Sequence, residues 1–187
     1  MSLNLVNLDS STRQFMVEEI EKDIADGRLY ESPRLSAAGK QIYPDLLRAA
    51  ARNGTDSTLA SELRAPGRLN ATEERRKPKG GTTIAQVPVT AADTLAEGEF
   101  NRFYARGLCR VAIVENIDSV VVYRAKEVAH PRAESMALIG KALPAVELLA
   151  DLRTSIGMDT VLGLPPGPNS GLSVRIDRVA RPSVAGQ

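Results

Sequence analysis

This sequence predicts a mainly α fold with minor β, an α+β protein. It has short N-terminal helices, one long central helix, an extended arm and a Pro/Gly-rich C-terminal segment. Three observations carry that reading. Residues 97–116, EGEFNRFYARGLCRVAIVEN, place Phe100, Phe103, Tyr104, Gly107, Leu108, Val111 and Val114 in one arc of a wheel turning about 100° per residue, the core stripe of an amphipathic helix. Shorter segments before and after it are bounded by helix-start and helix-stop residues. Residues 66–90 instead mix proline, glycine and charge without a sustained period.

In chain order, Leu3, Leu5, Val6 and Leu8 lead to Asp9, an N-cap for a helix over 10–26 that Gly27 closes. Met16, Ile20 and Ile24 recur every fourth residue as its buried line, with Glu18, Glu19, Glu21 and Lys22 mostly toward water. Ser36 caps a turn over 37–43, and Pro44 is placed as the first residue of a helix over 44–52, one kinked helix being the alternative. Asp56 is expected to cap a short helix through Leu59 and Leu63 that Pro66-Gly67 stops. NATEERRK at 70–77 suits one or two helical turns before Pro78, and Gly80-Gly81 imposes no local structure. TTIAQVPVT at 82–90 reads as extended or as an edge strand, since Pro88 cannot donate to a ladder. Thr90 and Asp93 offer a capping-box-like start to the long helix, regular from nearer Leu95.

Beyond that helix, SVVVY at 119–123 is β-branched and continuously apolar, which predicts a strand buried on both faces. Residues 126–142 read as a loop with a helical turn at 133–139. Pro144 opens a helix over 144–156 with Val146, Leu149, Leu152 and Ile156 inward and Gly157 just past its end. LGLPPGPNSGL at 162–172 is too rich in proline and glycine for regular structure, and 172–176 can form a strand.

At 187 residues, 43% hydrophobic and 25% charged, the chain can bury a sizeable core as one domain. Its organisation reads as a helical segment over 1–65, a basic extended arm over 66–90, a core over 91–160 and an extended tail over 161–187. The net charge of +1 draws the whole molecule neither to nucleic acid nor to an anionic membrane. Charge is uneven, however: residues 1–31 hold seven acids against three bases, and residues 64–81 hold six bases against two acids. A single cysteine excludes an intrachain disulfide, and with one histidine the usual zinc clusters are excluded too, so a reducing compartment is expected. No apolar run reaches the roughly 18–20 residues that cross a bilayer, and no signal-peptide pattern opens the chain, so no membrane partner is expected.

No catalytic signature emerges. A phosphate cradle needs consecutive backbone N–H groups at a helix N-terminus; KPKGGTT at 77–83 leads into an extended segment, and LPPGPNSG at 164–171 loses donors to proline. His130 precedes Pro131 in a loop, and nearness in sequence to Ser135 does not make a triad. Glu97 and Glu99 point to different sides of a helix, Glu115 and Asp118 flank its end, and VYRAK at 122–126 carries a nuclease-type lysine without the acid. An enzyme site near Arg124, Lys126, His130 and Arg132 is the least supported reading. The sequence predicts a non-enzyme with no cofactor and no metal.

Two features predict contact with other molecules. Arg102, Arg106 and Arg110, four residues apart, form a ridge that can pair with a neighbouring chain, contact phosphates, or pair with the acidic first helix of its own chain. The arm contributes Arg75, Arg76, Lys77 and Lys79 and no aromatic on which single-stranded bases would stack. The far side of the long helix carries Ala105, Cys109 and Ala112, expected to form a shallow packing interface with another copy, Cys109 being a small hydrophobe rather than a reactive thiol. The opposite charges of arm and first helix suggest that one subunit's arm lies on the next subunit's helix.

The run LAEGEFNRFYARGLCRVAI at 95–113, followed by YRAK at 123–126 and LGLPPGPNSGLSVRI at 162–176, resembles a group of small uncharacterised proteins associated with bacterial phages and prophages. The resemblance implies a virion structural component such as a head-to-tail connector, neck, adaptor or decoration protein. Such a protein would be assembled in the bacterial cytoplasm as a homo-oligomer with other virion proteins; no catalytic residues come with the resemblance. The alternative is a nucleic-acid-associated regulator using the basic arm and the arginine ridge.

Overall fold

The computed structural model describes residues 2–78, 80–156 and 170–177. Among these residues there are six helices and five strands: α1 (Ser10–Ala25), α2 (Ala37–Asn53), α3 (Asp56–Leu63), β1 (Thr72–Arg76), β2 (Thr82–Gln86), α4 (Ala91–Val114), β3 (Ser119–Arg124), α5 (Ala133–Leu138), β4 (Ala142–Pro144), α6 (Ala145–Thr154) and β5 (Leu172–Arg175). The protein is α+β, and α4 is its axis: α1, α2, α3, α6, β3 and β5 all pack on it. Phe100, Phe103, Tyr104, Leu108 and Val111 are buried as their spacing requires, whereas Val114 at the helix end is exposed. One hydrophobic core runs from Met16 to Ile176 through α4. The helix is regular from Ala91 with no side-chain cap at Thr90, and Asp93 pairs with Arg64 instead of closing a capping box.

The N-terminal helices follow their caps. Asp9 accepts from the Thr12 N–H, Ser36 from Gly39, and Thr55 rather than Asp56 caps α3, in a capping box with Thr58. Asp56 is buried and accepts from Ser2 Oγ and, at 3.1 Å, from the Leu3 N–H. α2 runs unbroken through Pro44, so Pro44 does not start it. A proline inside a helix costs about 3 kcal/mol, which burial of Tyr43, Leu47, Ala50 and Ala51 offsets.

β3 is the central strand of an antiparallel sheet ordered β4-β3-β5. Val120 and Val122 are buried while Val121 is half-buried, so the strand has one core face and one partly covered face rather than two core faces. Asn101 fastens α4 to β5, donating to the Leu172 carbonyl at 2.8 Å and accepting from Ser173 Oγ at 2.6 Å. The N-terminal lead-in lies along the same sheet: Tyr123 Oη donates to the Asn4 carbonyl, and the Asn7 N–H donates to Tyr104 Oη. Pro144 ends β4 and caps α6 rather than being its first residue, and Val146 is exposed while Ala145, Leu148, Leu149 and Leu152 are buried. The expectations for Gly157 and most of LGLPPGPNSGL lie outside the described residues.

The arm departs most from the sequence reading. Residues 72–76 are a strand, not helical turns, and pair antiparallel with β2 from Thr72↔Gln86 to Arg76↔Thr82. The helix preference of Glu and Arg is overridden because Gly80 and Gly81 adopt φ of +91° and +77°, closing a five-residue loop that returns the chain alongside itself. The Lys77 N–H donates to the Gly81 carbonyl at 2.9 Å across that loop.

α1 crosses α4 at Gly107, where an added Cβ would stand 2.8 Å from the Thr12 carbonyl oxygen and 3.0 Å from the Met16 nitrogen, both backbone atoms. Gly107→Ala therefore has to push the helices apart and should lower stability by about 1–3 kcal/mol in urea denaturation. A variant as stable as the wild type would show that the crossing is looser than described.

Candidate functional site

The ridge of Arg102, Arg106 and Arg110 faces its own chain. Arg106 is fully buried and forks between two acids of α1: Nε and Nη2 donate to Glu19 Oε2 at 2.9 and 2.7 Å, while Nη1 and Nη2 donate to Asp23 Oδ2 and Oδ1 at 2.5 and 2.8 Å. Its guanidinium also lies 4.9 Å from the Phe103 ring centroid. Arg153 of α6 completes the group with bonds of 2.9 and 2.5 Å to Glu19. Arg110 pairs with Glu18 at 2.7 Å and stacks on Phe15 at 4.2 Å. Arg102 is buried, donates to the Ser155 carbonyl and stands 3.4 Å from Glu99. The ridge thus joins three helices of one molecule, and Arg102 and Arg106 are not free to contact phosphates or a neighbour.

Glu19 and Asp23 were the residues hardest to place from the sequence. Glu19, expected toward water, is buried. The signal was present: Met16, Glu19, Ile20 and Asp23 stand at i, i+3, i+4 and i+7, the spacing of a single helix face. Two of the acids of α1 thus share the buried stripe with Met16 and Ile20. Burial raises the Glu19 carboxyl, but hydrogen bonds from Arg153 and Arg106 and their charges outweigh it and hold it below the ordinary carboxylate value.

Glu99 behaves oppositely. Burial dominates and pushes it from 4.5 up to about 7; Arg102 opposes the rise, Asp23 adds to it, and Arg106 opposes it. Tyr43 of α2 faces the same interior, and its hydroxyl has no hydrogen-bond partner among the described residues, nor has Arg102 Nε. Burial, then the Glu99 charge, pushes the Tyr43 phenol well above its usual value.

The proposed packing surface is also internal. Ala105, Cys109 and Ala112 are all buried within the chain, because α4 is covered on this side as well as on the Phe100 side. They do not form a shallow outer face. Burial pushes the Cys109 thiol up to about 12, which keeps it protonated and unreactive.

Arg75, Arg76 and Lys77 are exposed on the hairpin, and Lys79 lies outside the described residues. Glu73 is held between Arg34 and Arg75, each at 2.6 Å. His130 is exposed and Ser135 buried. A cleft of about 110 Å³ is lined by Asp56, Ser57, Ala60, Arg64, Asp93 and Glu97. That is well under the roughly 300–1,000 Å³ of small-molecule sites, and its charges are engaged, Arg64 with Asp93 and Glu97 with Lys126. Among the described residues no group of three or more histidines, cysteines or acids is placed to hold a metal ion, and no helix is long and apolar enough to cross a membrane. The chain matches no known protein-family model, no curated protein and no solved structure.

Two outcomes test the buried cluster. Arg106→Met strands the Asp23 charge in the core, and breaking a buried ion pair in this way costs roughly 3–5 kcal/mol. Urea denaturation at neutral pH should show that loss. A loss below about 1 kcal/mol at neutral pH, the range of a surface pair, would contradict the cluster.

Glu99 carries the pH signature. Its proton is held more tightly in the folded state, so its stabilising contribution is full below pH 4.5 and is lost as pH rises through 7. Glu19, held low, contributes above its unfolded value and loses that contribution on the acid side, so it does not obscure the window from pH 5 to 8. Glu99→Gln should flatten the stability profile across that window and gain up to about 3 kcal/mol over the wild type at pH 8. Parallel profiles for the two proteins would overturn the assignment.

Proposed function

We propose that the protein is a non-enzymatic assembly protein. The helical body serves as a rigid platform, and the hairpin formed by β1 and β2 is the arm through which it engages other molecules. One observation carries this reading: among the described residues the hairpin is a two-stranded ribbon with both outer edges unpaired and both faces largely in water. Such a ribbon is marginally stable alone, and unpaired edges are templates for another chain. Ile84 is 68% exposed on it and Val89, just after it, 94%. An apolar residue standing that far into solvent is one that a neighbour would cover.

The arm is nevertheless held in a fixed direction. Leu35 bridges Leu69, the Asn70 side chain donates to the Pro33 and Leu35 carbonyls at 3.1 Å each, and Arg34 holds Glu73. A braced root with a bare ribbon suits a contact element better than a passive link between α3 and α4. On this reading, and with the resemblance to phage-associated proteins in its support, the work is proposed to be virion assembly at the head-to-tail connection, in the bacterial cytoplasm. The partners are further copies of the chain and other virion proteins.

Mass photometry of the full chain, compared with a variant whose residues 72–86 are replaced by a short Gly/Ser linker, tests the proposal. The wild type should form a defined oligomer and the variant should not, with equal helical circular dichroism showing that the body is intact. Equal masses for the two would refute self-assembly through the arm.

A further inference from the structure

Accepting the hairpin as a contact arm, we infer that its tip is a binding site for double-stranded DNA, with the ribbon entering the major groove and Arg76 and Lys77 meeting the phosphates. Charge along the hairpin is sorted. Glu73 and Glu74 sit at the root end of β1, and Arg75, Arg76 and Lys77 follow toward the turn. Glu73 is neutralised between Arg34 and Arg75, and Glu74 lies opposite Ile84, nearer the body than the Arg76–Thr82 pair. The negative charge is used to anchor the arm, and the positive charge is carried outward.

Elsewhere in the chain arginines are largely consumed. Arg48 pairs with Glu21 and Asp45, Arg64 with Asp93, Arg68 with Glu62, Arg106 with Glu19 and Asp23, and Arg110 with Glu18. Arg76 and Lys77 are exposed and, among the described residues, make no ion pair. Free cations at the end of a braced projection are complementary to a polyanion.

The shape selects the form of polyanion. Two strands about 4.8 Å apart, with side chains, fit the roughly 12 Å major groove of B-form DNA, which admits a two-stranded ribbon. The major groove of duplex RNA is too deep and narrow. Single strands are bound chiefly by stacking on aromatics, and residues 72–86 contain none. Thr82 and Thr83 follow the turn on the returning strand, opposite Arg76 and Arg75, and place hydroxyls beside the cations for phosphate or base edges.

Fluorescence anisotropy of the full chain with a labelled random duplex of about 20 base pairs tests this between about 50 and 200 mM KCl. Two phosphate contacts give a slope of log affinity against log salt near −2, a fall of about 12-fold across that range. Arg76→Ala with Lys77→Ala should weaken binding about tenfold or more at 50 mM and bring the slope near zero. The same charge loss at the exposed Arg52 and Lys141 should change affinity less than about twofold. The tip variant should keep the wild-type oligomer in mass photometry. No binding at 50 mM, or equal losses from the tip and control variants, overturns the inference. If assembly still depends on residues 72–86, the arm then serves protein contacts alone. If their replacement alters neither mass nor DNA binding, the arm reading falls as well.

Discussion

A guanidinium cannot be left alone in a protein interior, and the fully buried Arg106 sets the terms on which this molecule is built. Removing such a charge from water costs several kcal/mol unless acids and acceptors surround it. The acids come from α1, so α1 has to lie against α4 in one register, with Glu19 and Asp23 both opposite the guanidinium. That register brings the α1 backbone onto Gly107, one residue along α4, where no side chain stands in the way. Arg153 then requires α6 to approach from the other side of Glu19. Three elements distant in sequence are located by one charge group whose alternatives are all costly. Apolar packing alone tolerates small slips; a forked arginine does not.

The same cluster explains the outer surface. The first helix is acidic and the arm basic, a pattern that invites the idea of one subunit's arm resting on another's helix. Two of the helix acids are spent on Arg106, Glu18 faces Arg110 and Glu21 faces Arg48. Little of that acidity remains to receive a neighbour's arm. Among the described residues the basic hairpin is correspondingly left without an acidic counterpart beyond Glu73, and the charge asymmetry becomes one between a self-satisfied body and an unsatisfied arm.

Local signals in the chain reported local structure well. Asp9 and Ser36 cap as their types suggest, the long helix stands where the stripe of Phe100 to Val111 placed it, β3 follows its β-branched run, and β5 lies within the 172–176 segment. What the chain did not reveal depends on distant partners. Residues 72–76 have helical composition and became a strand because β2, beyond two glycines at positive φ, was there to pair with them. Pro44 sits within a helix because tertiary burial outweighs its local cost. Ala105, Cys109 and Ala112 looked like a free face because no local rule says how many elements will crowd around one helix. Of the candidate contact residues, the ridge was legible as a group but not in direction, since i, i+4 spacing puts three arginines on one face without naming what that face meets.

Glu99 shows why the interior near Arg106 is not uniformly settled. It shares α4 with Arg102 and Arg106, yet those arginines direct their hydrogen bonds chiefly to Ser155, Glu19 and Asp23, leaving Glu99 one contact at 3.4 Å. Asp23 adds like charge from α1, and the nearby Tyr43 hydroxyl lacks a partner among the described residues. A carboxyl so placed is better neutral than charged, and near pH 7 it sits between the two. The cluster thus has one fully committed side, where charge fixes helix register, and one side where a single proton changes the balance of a buried network. Because α4 carries both sides, any change in that proton acts on the helix to which α1, α2, α3 and α6 are attached, whereas the polar contacts at the root of the hairpin come from other residues, Arg34 and Asn70. Body stability and arm presentation are therefore physically separable, which is what allows a solvent-facing arm to be altered without disturbing the fold that carries it.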